Sequence, residues 1–88
     1  MSYFIEWELN SADELEKLAF DVAERVLDKI EQIKENPEHF IEKMQGTPEF
    51  KLRVGDYRVI LLFDKGNKKI KIQMVGHRRN IYKKYGQS

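Results

Sequence analysis

The 88-residue chain contains no cysteine, and it has only two prolines, five glycines and one tryptophan. The lack of cysteine excludes disulfides and thiolate metal sites, and small domains without disulfides are typical of a reducing compartment, so we expect the cytoplasm. Long hydrophobic runs are also absent, because the longest, residues 59–63, is far too short to span a bilayer. No charged-then-apolar leader opens the sequence, so we expect neither export nor membrane binding.

Hydrophobic residues make up 41% of the chain and charged residues 35%. A chain of this length organises one compact core, so we expect a single domain over residues 1–88. The charge is distributed unevenly. Residues 1–44 carry five Lys/Arg against twelve Asp/Glu, a net charge of −7, whereas residues 45–88 carry eleven against three, a net charge of +8. Either the basic half faces a polyanion, or two solvated faces attract each other across the fold.

The acidic half predicts a short strand followed by helices. Tyr3–Leu9 is rich in aromatic and branched residues, which favours a strand. Ser11 and Glu14 then form the pattern of a capping box, and Asp21 with Glu24 repeats it, so we expect two helices with a bend near residues 20–21. Asn36-Pro37 ends the helical part, and residues 38–44 are predicted as a turn or a short helix. An apolar stripe at helical spacing should pack on a sheet: Leu15, Leu18, Val22, Val26, Ile30 and Ile33.

The basic half predicts an antiparallel meander of three strands, residues 49–54, 57–63 and 69–75, because turn-forming residues separate the three apolar runs. If Gly55-Asp56 is a two-residue loop, Arg53 lies opposite Arg58, and Lys51 shares their face because side chains alternate along a strand. The fold class is therefore α+β, with a small, mostly antiparallel sheet packed against an N-terminal helical hairpin. The opposite, apolar face collects Phe50, Leu52, Tyr57, Val59, Leu61 and Phe63.

The second turn is predicted as residues 64–67, which would place Phe63 opposite Lys68 and Arg58 opposite Gln73. Lys71 and Gln73 would then join the cationic face, while Ile70, Ile72 and Met74 would join the core. Ile60 and Leu62 also fall on the cationic face, so we expect the C-terminal segment to cover part of it.

Like charges directly opposite on a sheet are destabilising, so Arg53 and Arg58 require a counter-charge. It is either internal, from Asp56, Glu49 or a helix, or an external anion. With Arg78 and Arg79 just beyond the last strand, the cluster has the composition of a site for a phosphate backbone.

The C-terminal segment adds groups that can move protons. Cleavage of RNA by its own 2′-hydroxyl requires proton transfers and neutralisation of the phosphorane charge, and Tyr82, His77 and Lys51 are the candidates. Each also has a structural interpretation, as a packing aromatic, an ordinary strand-end residue and a solvated cation. The two histidines lie in different elements with no carboxylate pair at ligand spacing, so we expect no metal and no other cofactor.

The order of predicted elements, with "KLRVGDYRVILLF" (residues 51–63) and "VGHRRNIYKKY" (residues 75–85), resembles the RelE/ParE toxin superfamily of type II toxin–antitoxin systems. The similarity covers nearly the whole chain and is greatest to RelE-type mRNA interferases. It implies an endoribonuclease that cleaves mRNA in the ribosomal A site without metal. Lys51, Arg58 and Arg78 would bind the scissile phosphate, and Tyr82 would transfer a proton or stack on a base. The implied RNA-binding residues are Arg53, Lys71, Arg79, Lys83 and Lys84.

The sequence departs from this pattern at Glu49, where some RelE enzymes have a second lysine. The proton-transfer scheme therefore stays open, and His77 is a candidate to share it. The resemblance also implies a RelB-like antitoxin that covers the basic face, with the toxin either monomeric or part of a larger complex with the antitoxin. Two alternatives remain: a ParE-like toxin that inhibits DNA gyrase without cutting RNA, and an RNA-binding relic without catalysis.

Overall fold

The structure, a computed structural model, describes residues 2–84 apart from the side chains of Tyr82 and Lys84. Within this part, five strands form one sheet in the order β1-β5-β4-β3-β2, with β1 parallel to β5 and the other neighbours antiparallel. The predicted α+β fold is confirmed, with one strand more than expected. In chain order the elements are β1 (Phe4–Trp7), α1 (Leu9–Glu16), α2 (Phe20–Ile33), a 3-10 turn (Pro37–His39), β2 (Ile41–Lys43), β3 (Phe50–Val54), β4 (Tyr57–Asp64), β5 (Lys69–His77) and α3 (Arg78–Lys84).

The predicted helix caps are wrong. α1 begins at Leu9, and Ser11 lies buried inside it with its Oγ 2.7 Å from the Glu8 carbonyl oxygen and 2.9 Å from that of Ile72. Glu14 accepts a 3.0 Å hydrogen bond from the backbone N–H of Val75 through Oε1. Both side chains therefore bind groups of β5 instead of capping the helix. α2 begins at Phe20 after Ala19, which supplies no side-chain cap.

The core lies on one face of the sheet, which we call the helix-bearing face. The hydrophobic periodicity of α2 places one stripe of that helix against it, as predicted. From the sheet the predicted apolar face of β3 and β4 is confirmed, and Val54, Ile70, Ile72 and Val75 are buried with it. The buried residues of the α2 stripe are Val22, Val26, Ile30 and Ile33.

The β3–β4 hairpin has the predicted register, with Arg53 opposite Arg58 and Val54 opposite Tyr57. Gly55 has a φ of 60°, whereas Asp56 is not among the residues with positive φ, which is the φ pattern of a type II′ turn. This turn twists with the strands and fixes their pairing. The side chains on the face opposite the helices, which we call the outer face, therefore include Lys51, Arg53 and Arg58.

The predicted β4–β5 register is wrong. The loop has four residues, but it is residues 65–68, so Phe63 pairs with Ile70 and Arg58 pairs with Gly76. A register shift between Ile60 and Leu61 leaves Gln73 as an extra residue on β5. Such a bulge reverses the alternation of side chains beyond it. Met74, predicted in the main core, therefore lies on the outer face.

A second, small apolar cluster covers part of the outer face. Ile60 of β4 is fully buried against Ile81 of α3 and Met44, with Met74 beside them. The expectation that the C-terminal segment covers Ile60 is confirmed. β2 was not predicted, because three residues are too few to show an alternating pattern. Among the described residues, no helix is long and apolar enough to cross a membrane.

Candidate functional site

Three cations predicted to share a face do share it. Arg53 of β3 stands directly opposite Arg58 of β4, and Lys51 is opposite Ile60. The two-residue turn is the cause, because it fixes the register that puts both arginines on the outer face. We call Lys51, Arg53 and Arg58 the hairpin cluster. It brings three positive charges to one end of the sheet.

Arg58 is only 7% exposed. Its Nη1 donates hydrogen bonds of 2.8 Å to the carbonyl oxygen of Gly55 and 2.9 Å to that of Tyr57. A planar guanidinium held by two carbonyls has little freedom to rotate. Its charge is thus fixed just beneath the surface, against the hairpin turn.

Arg53 has an internal counter-charge that the sequence did not reveal. Its Nε lies 3.3 Å from Oε1 of Glu42, which belongs to β2 and pairs with Lys51 across the ladder. The side chains of Arg53 and Glu42 are 60% and 54% exposed, so water weakens the pair and it contributes little stability. Glu42 could be identified from the sequence only if β2 was predicted, and three residues are too few to show the alternating pattern of a strand.

Arg78 and Arg79 lie at the same end of the molecule. The backbone N–H of Arg78, the first residue of α3, donates a 2.9 Å hydrogen bond to the carbonyl oxygen of Asp56 in the hairpin turn. Both arginines are exposed, and within residues 2–84 neither forms an ion pair. Two exposed arginines without an ion pair among residues 2–84 therefore lie at the hairpin end of the sheet.

The remaining predicted residues of the C-terminal segment belong to α3. Lys83 is exposed on α3. The side chains of Tyr82 and Lys84 lie outside the described part of the structure, so the roles predicted for them stay predictions.

The structure does not bring His77 to the hairpin cluster. His77 pairs with Tyr57, and their rings meet at 5.3 Å between centroids and 76° between planes, on the helix-bearing face. The bulge at Gln73 is the cause, because it reverses which side chains of β5 face outward. His77 instead lines a cleft of about 440 Å³ together with Glu14, Lys17 and Asn80. Sequence reasoning missed this cleft.

Lys71 lies on the outer face, but far from the cluster. It pairs with Leu62, four residues along β4 from Arg58, which is roughly 13 Å at the usual rise per residue. Its Nζ is 2.8 Å from Oε1 of Glu8 and 3.9 Å from Oε2 of Glu6. The hydrogen bond to Glu8 raises the pKa of Lys71 above 10.5, so the lysine holds its charge in an ion pair.

The described residues contain no group of three or more histidines, aspartates or glutamates that could hold a metal ion. Arginine and lysine side chains provide the cations at the hairpin end. These groups bind phosphate oxygens and stabilise negative charge that develops on them.

A sequence model of the family described as ParE toxin of type II toxin-antitoxin system, parDE, matches residues 5–82. Among solved structures, the chain is similar to the archaeal RelE-RelB complex from Pyrococcus horikoshii, with 28% identity and a TM-score of 0.75 over 89% of this chain and 97% of that chain. The chain is also similar to the intact RelBE toxin-antitoxin complex of E. coli, with 26% identity and a TM-score of 0.72 over 86% of this chain and 96% of that chain. The RelBE2 complex of Mycobacterium tuberculosis, at 20% identity and a TM-score of 0.79 over 89% and 100%, shows the shared fold. A search of curated proteins gave no match.

Proposed function

The chain belongs to the family of ParE toxins of type II toxin–antitoxin systems, and we propose that this toxin acts by cleaving messenger RNA in the ribosomal A site. The observation that carries the proposal is the exposed pair Arg78 and Arg79, held beside the hairpin cluster by the bond from Arg78 to Asp56. Such a group of cations suits a strand of phosphates. Two similar solved structures, at 28% and 26% identity, are RelE complexes and support it.

In the proposed reaction the 2′-oxygen of a nucleotide forms a bond to the adjacent phosphorus, and the bond from phosphorus to the 5′-oxygen breaks. The 2′-hydroxyl gives up a proton to a base, and the leaving 5′-oxygen receives one from an acid. Lys51 and Arg78 would bind the phosphate oxygens and stabilise the added negative charge in the transition state. Tyr82 would carry one of the proton transfers, as its place in the motif implies.

Arg58 takes a modified role in this proposal because it is 7% exposed. From beneath the surface its charge strengthens the attraction of the site for phosphate. Direct contact with RNA would require its guanidinium to become accessible when RNA binds. His77 has no part in the proposed reaction, since it faces the opposite side of the sheet.

The proposed partners follow from the same chemistry. A RelB-like antitoxin would cover the hairpin end and compensate its charge with carboxylates, which would silence the toxin until the antitoxin is removed. The three solved structures described above are complexes of toxin with antitoxin. Action on ribosomes implies a cytoplasmic location.

A second candidate function is inhibition of DNA gyrase without RNA cleavage. The match to the ParE family over residues 5–82 favours it. The cationic hairpin end fits either target, because DNA and RNA both present phosphates.

The two functions are separated by parallel assays with the purified toxin. Translating ribosomes programmed with a defined mRNA should yield fragments whose ends map to the A site by primer extension. Supercoiling by gyrase should be unaffected at the same toxin concentration. Inhibited supercoiling with intact mRNA would overturn the proposal in favour of the gyrase inhibitor. Binding of RNA without effect in either assay would favour the relic.

A further inference from the structure

The cleft lined by His77 lies beyond the end of β1, which is a short strand. β1 pairs with β5 only as far as Trp7 and Ile72, and beyond that point α1 lies beside β5. The side chain of Glu14 reaches across to the N–H of Val75. The remaining edge of β5, from Val75 to His77, borders the cleft of about 440 Å³. The backbone of β5 at residues 75–77 therefore forms part of the wall of this cavity.

The backbone groups that face this cleft can be assigned from strand geometry. In a strand, the N–H and C=O of alternate residues point to the same side. Since the N–H of Val75 points toward α1, the C=O of Val75 and the N–H of His77 also point into the cleft. An acceptor and a donor therefore stand side by side on its wall.

An aromatic surface lies next to these groups. The rings of Tyr57 and His77 contact each other edge to face, and both residues line the cleft. Nδ1 of His77 accepts a hydrogen bond of 3.3 Å from the N–H of Arg79. In the neutral ring Nε2 then carries the proton and is a donor. Lys17, at the end of α1, supplies a positive charge at the rim.

We propose that this cleft binds a single unstacked adenine base, with its amino group donating to the C=O of Val75 and its ring nitrogen accepting from the N–H of His77. Aromatic rings are the usual support for an unstacked base of RNA. Lys17 would contact the phosphate of the same nucleotide. Hypoxanthine has an oxo group in place of the amino group of adenine. Its oxygen would face the C=O of Val75, and two acceptors cannot form a hydrogen bond with each other.

An added peptide strand fits the cleft less well. Strand addition needs a long open edge, but the Glu14 side chain closes one end and α3 begins at Arg78 beyond the other. As a base subsite the cleft would extend the proposed RNA function, on which this role rests. The binding itself is tested without ribosomes and without cleavage.

The experiment is a titration of the ¹⁵N-labelled protein with adenosine monophosphate and with inosine monophosphate, followed by NMR. The amide signals of Val75 and His77 should shift and saturate with the adenosine nucleotide, at an affinity about tenfold or more above that for the inosine nucleotide. Equal affinities for the two nucleotides would overturn the proposal, as would a lack of shifts at these amides.

Variants locate the bound base. His77→Ala should weaken binding of the adenosine nucleotide, whereas His39→Ala, which changes an exposed histidine of the 3-10 turn, should not. Lys17→Met should weaken binding of the nucleotide but not of adenosine. Equal effects of the two histidine variants would overturn the assignment.

A short single-stranded RNA with one adenine among uracils identifies the source of the base. Tighter binding of this RNA than of the mononucleotide supports a subsite for RNA. Binding of the mononucleotide alone supports the same base recognition for a free nucleotide. These binding results do not depend on whether the protein cleaves RNA. Failure of the base-binding proposal can therefore be distinguished from failure of the proposed mRNA cleavage.

Discussion

Both ends of the outer face carry positively charged side chains, but these charges are neutralised differently at the two ends. At the end formed by the 65–68 loop and β1, Lys69 lies 3.1 Å from Glu6 and Lys71 lies 2.8 Å from Glu8. At the hairpin end, Arg78 and Arg79 have no ion pair within the described residues. The number of positive charges is therefore a poor guide to a site. What distinguishes the hairpin end is that Arg53 has a carboxylate partner there, whereas Arg78 and Arg79 have none among the described residues.

The largest expected effect comes from removing one exposed arginine at the hairpin end. Arg78→Ala should slow mRNA cleavage on ribosomes by about 10²–10³-fold, because it removes one charged donor to the phosphate in the transition state. Lys69→Ala is the matched control, since this lysine is already paired and stands at the other end of the sheet. The measurement is the single-turnover rate with saturating toxin.

Both variants should fold, because Arg78 is exposed, Lys69 is not buried, and the bond from Arg78 to Asp56 uses the backbone. Urea unfolding checks this. If the two variants cut mRNA equally fast, the distinction between the ends would have no functional meaning.

The hairpin end could be predicted from sequence further than the rest of the sheet, because its register depends on local chemistry. A Gly-Asp pair specifies a two-residue turn, and that turn placed Lys51, Arg53 and Arg58 correctly. The hairpin cluster could thus be predicted from nine consecutive residues, 51–59.

The parts that could not be predicted depend on contacts between distant residues. Ser11 and Glu14 have the spacing of a capping box, but they bind backbone groups of β5 that lie 61 residues away. The bulge at Gln73 has no local signal either, and it moved His77 to the other face of the sheet. A single extra residue thereby separated two groups that the sequence suggested would act together.

A change in the hairpin turn should have an intermediate effect. Gly55→Ala forces an alanine to a φ of 60°, which costs about 1–2 kcal/mol of folding free energy. The cost comes from the backbone, because an added Cβ would meet only Arg25 Nη1, at an ordinary 3.6 Å. Urea unfolding should show the loss.

Gly66→Ala provides the comparison from the loop at the other end. Its added Cβ would lie 3.5 Å from Asp64 Oδ1, and its φ lies outside the left-handed region. This variant should be as stable as the original chain or slightly more so. Equal destabilisation by both substitutions would show that the turn at Gly55 has no special backbone requirement.

The smallest expected effect is the titration of Lys71, which tests how firmly the loop end holds its charge. The hydrogen bond and the attraction of Glu8 raise the pKa of Lys71 above 10.5 in the folded chain. A raised pKa means that the pair's contribution to stability is complete below pH 10.5 and is lost as the pH rises through the folded value.

Glu8→Gln should remove the charge of the partner and lower the pKa of Lys71 toward its ordinary value, as measured by NMR of the lysine side chain. The side chains of Lys71 and Glu8 are 37% and 41% exposed, so water weakens the pair and the unfolding midpoint at neutral pH should hardly change. An unchanged pKa in Glu8→Gln would mean that Lys71 is not held by this pair.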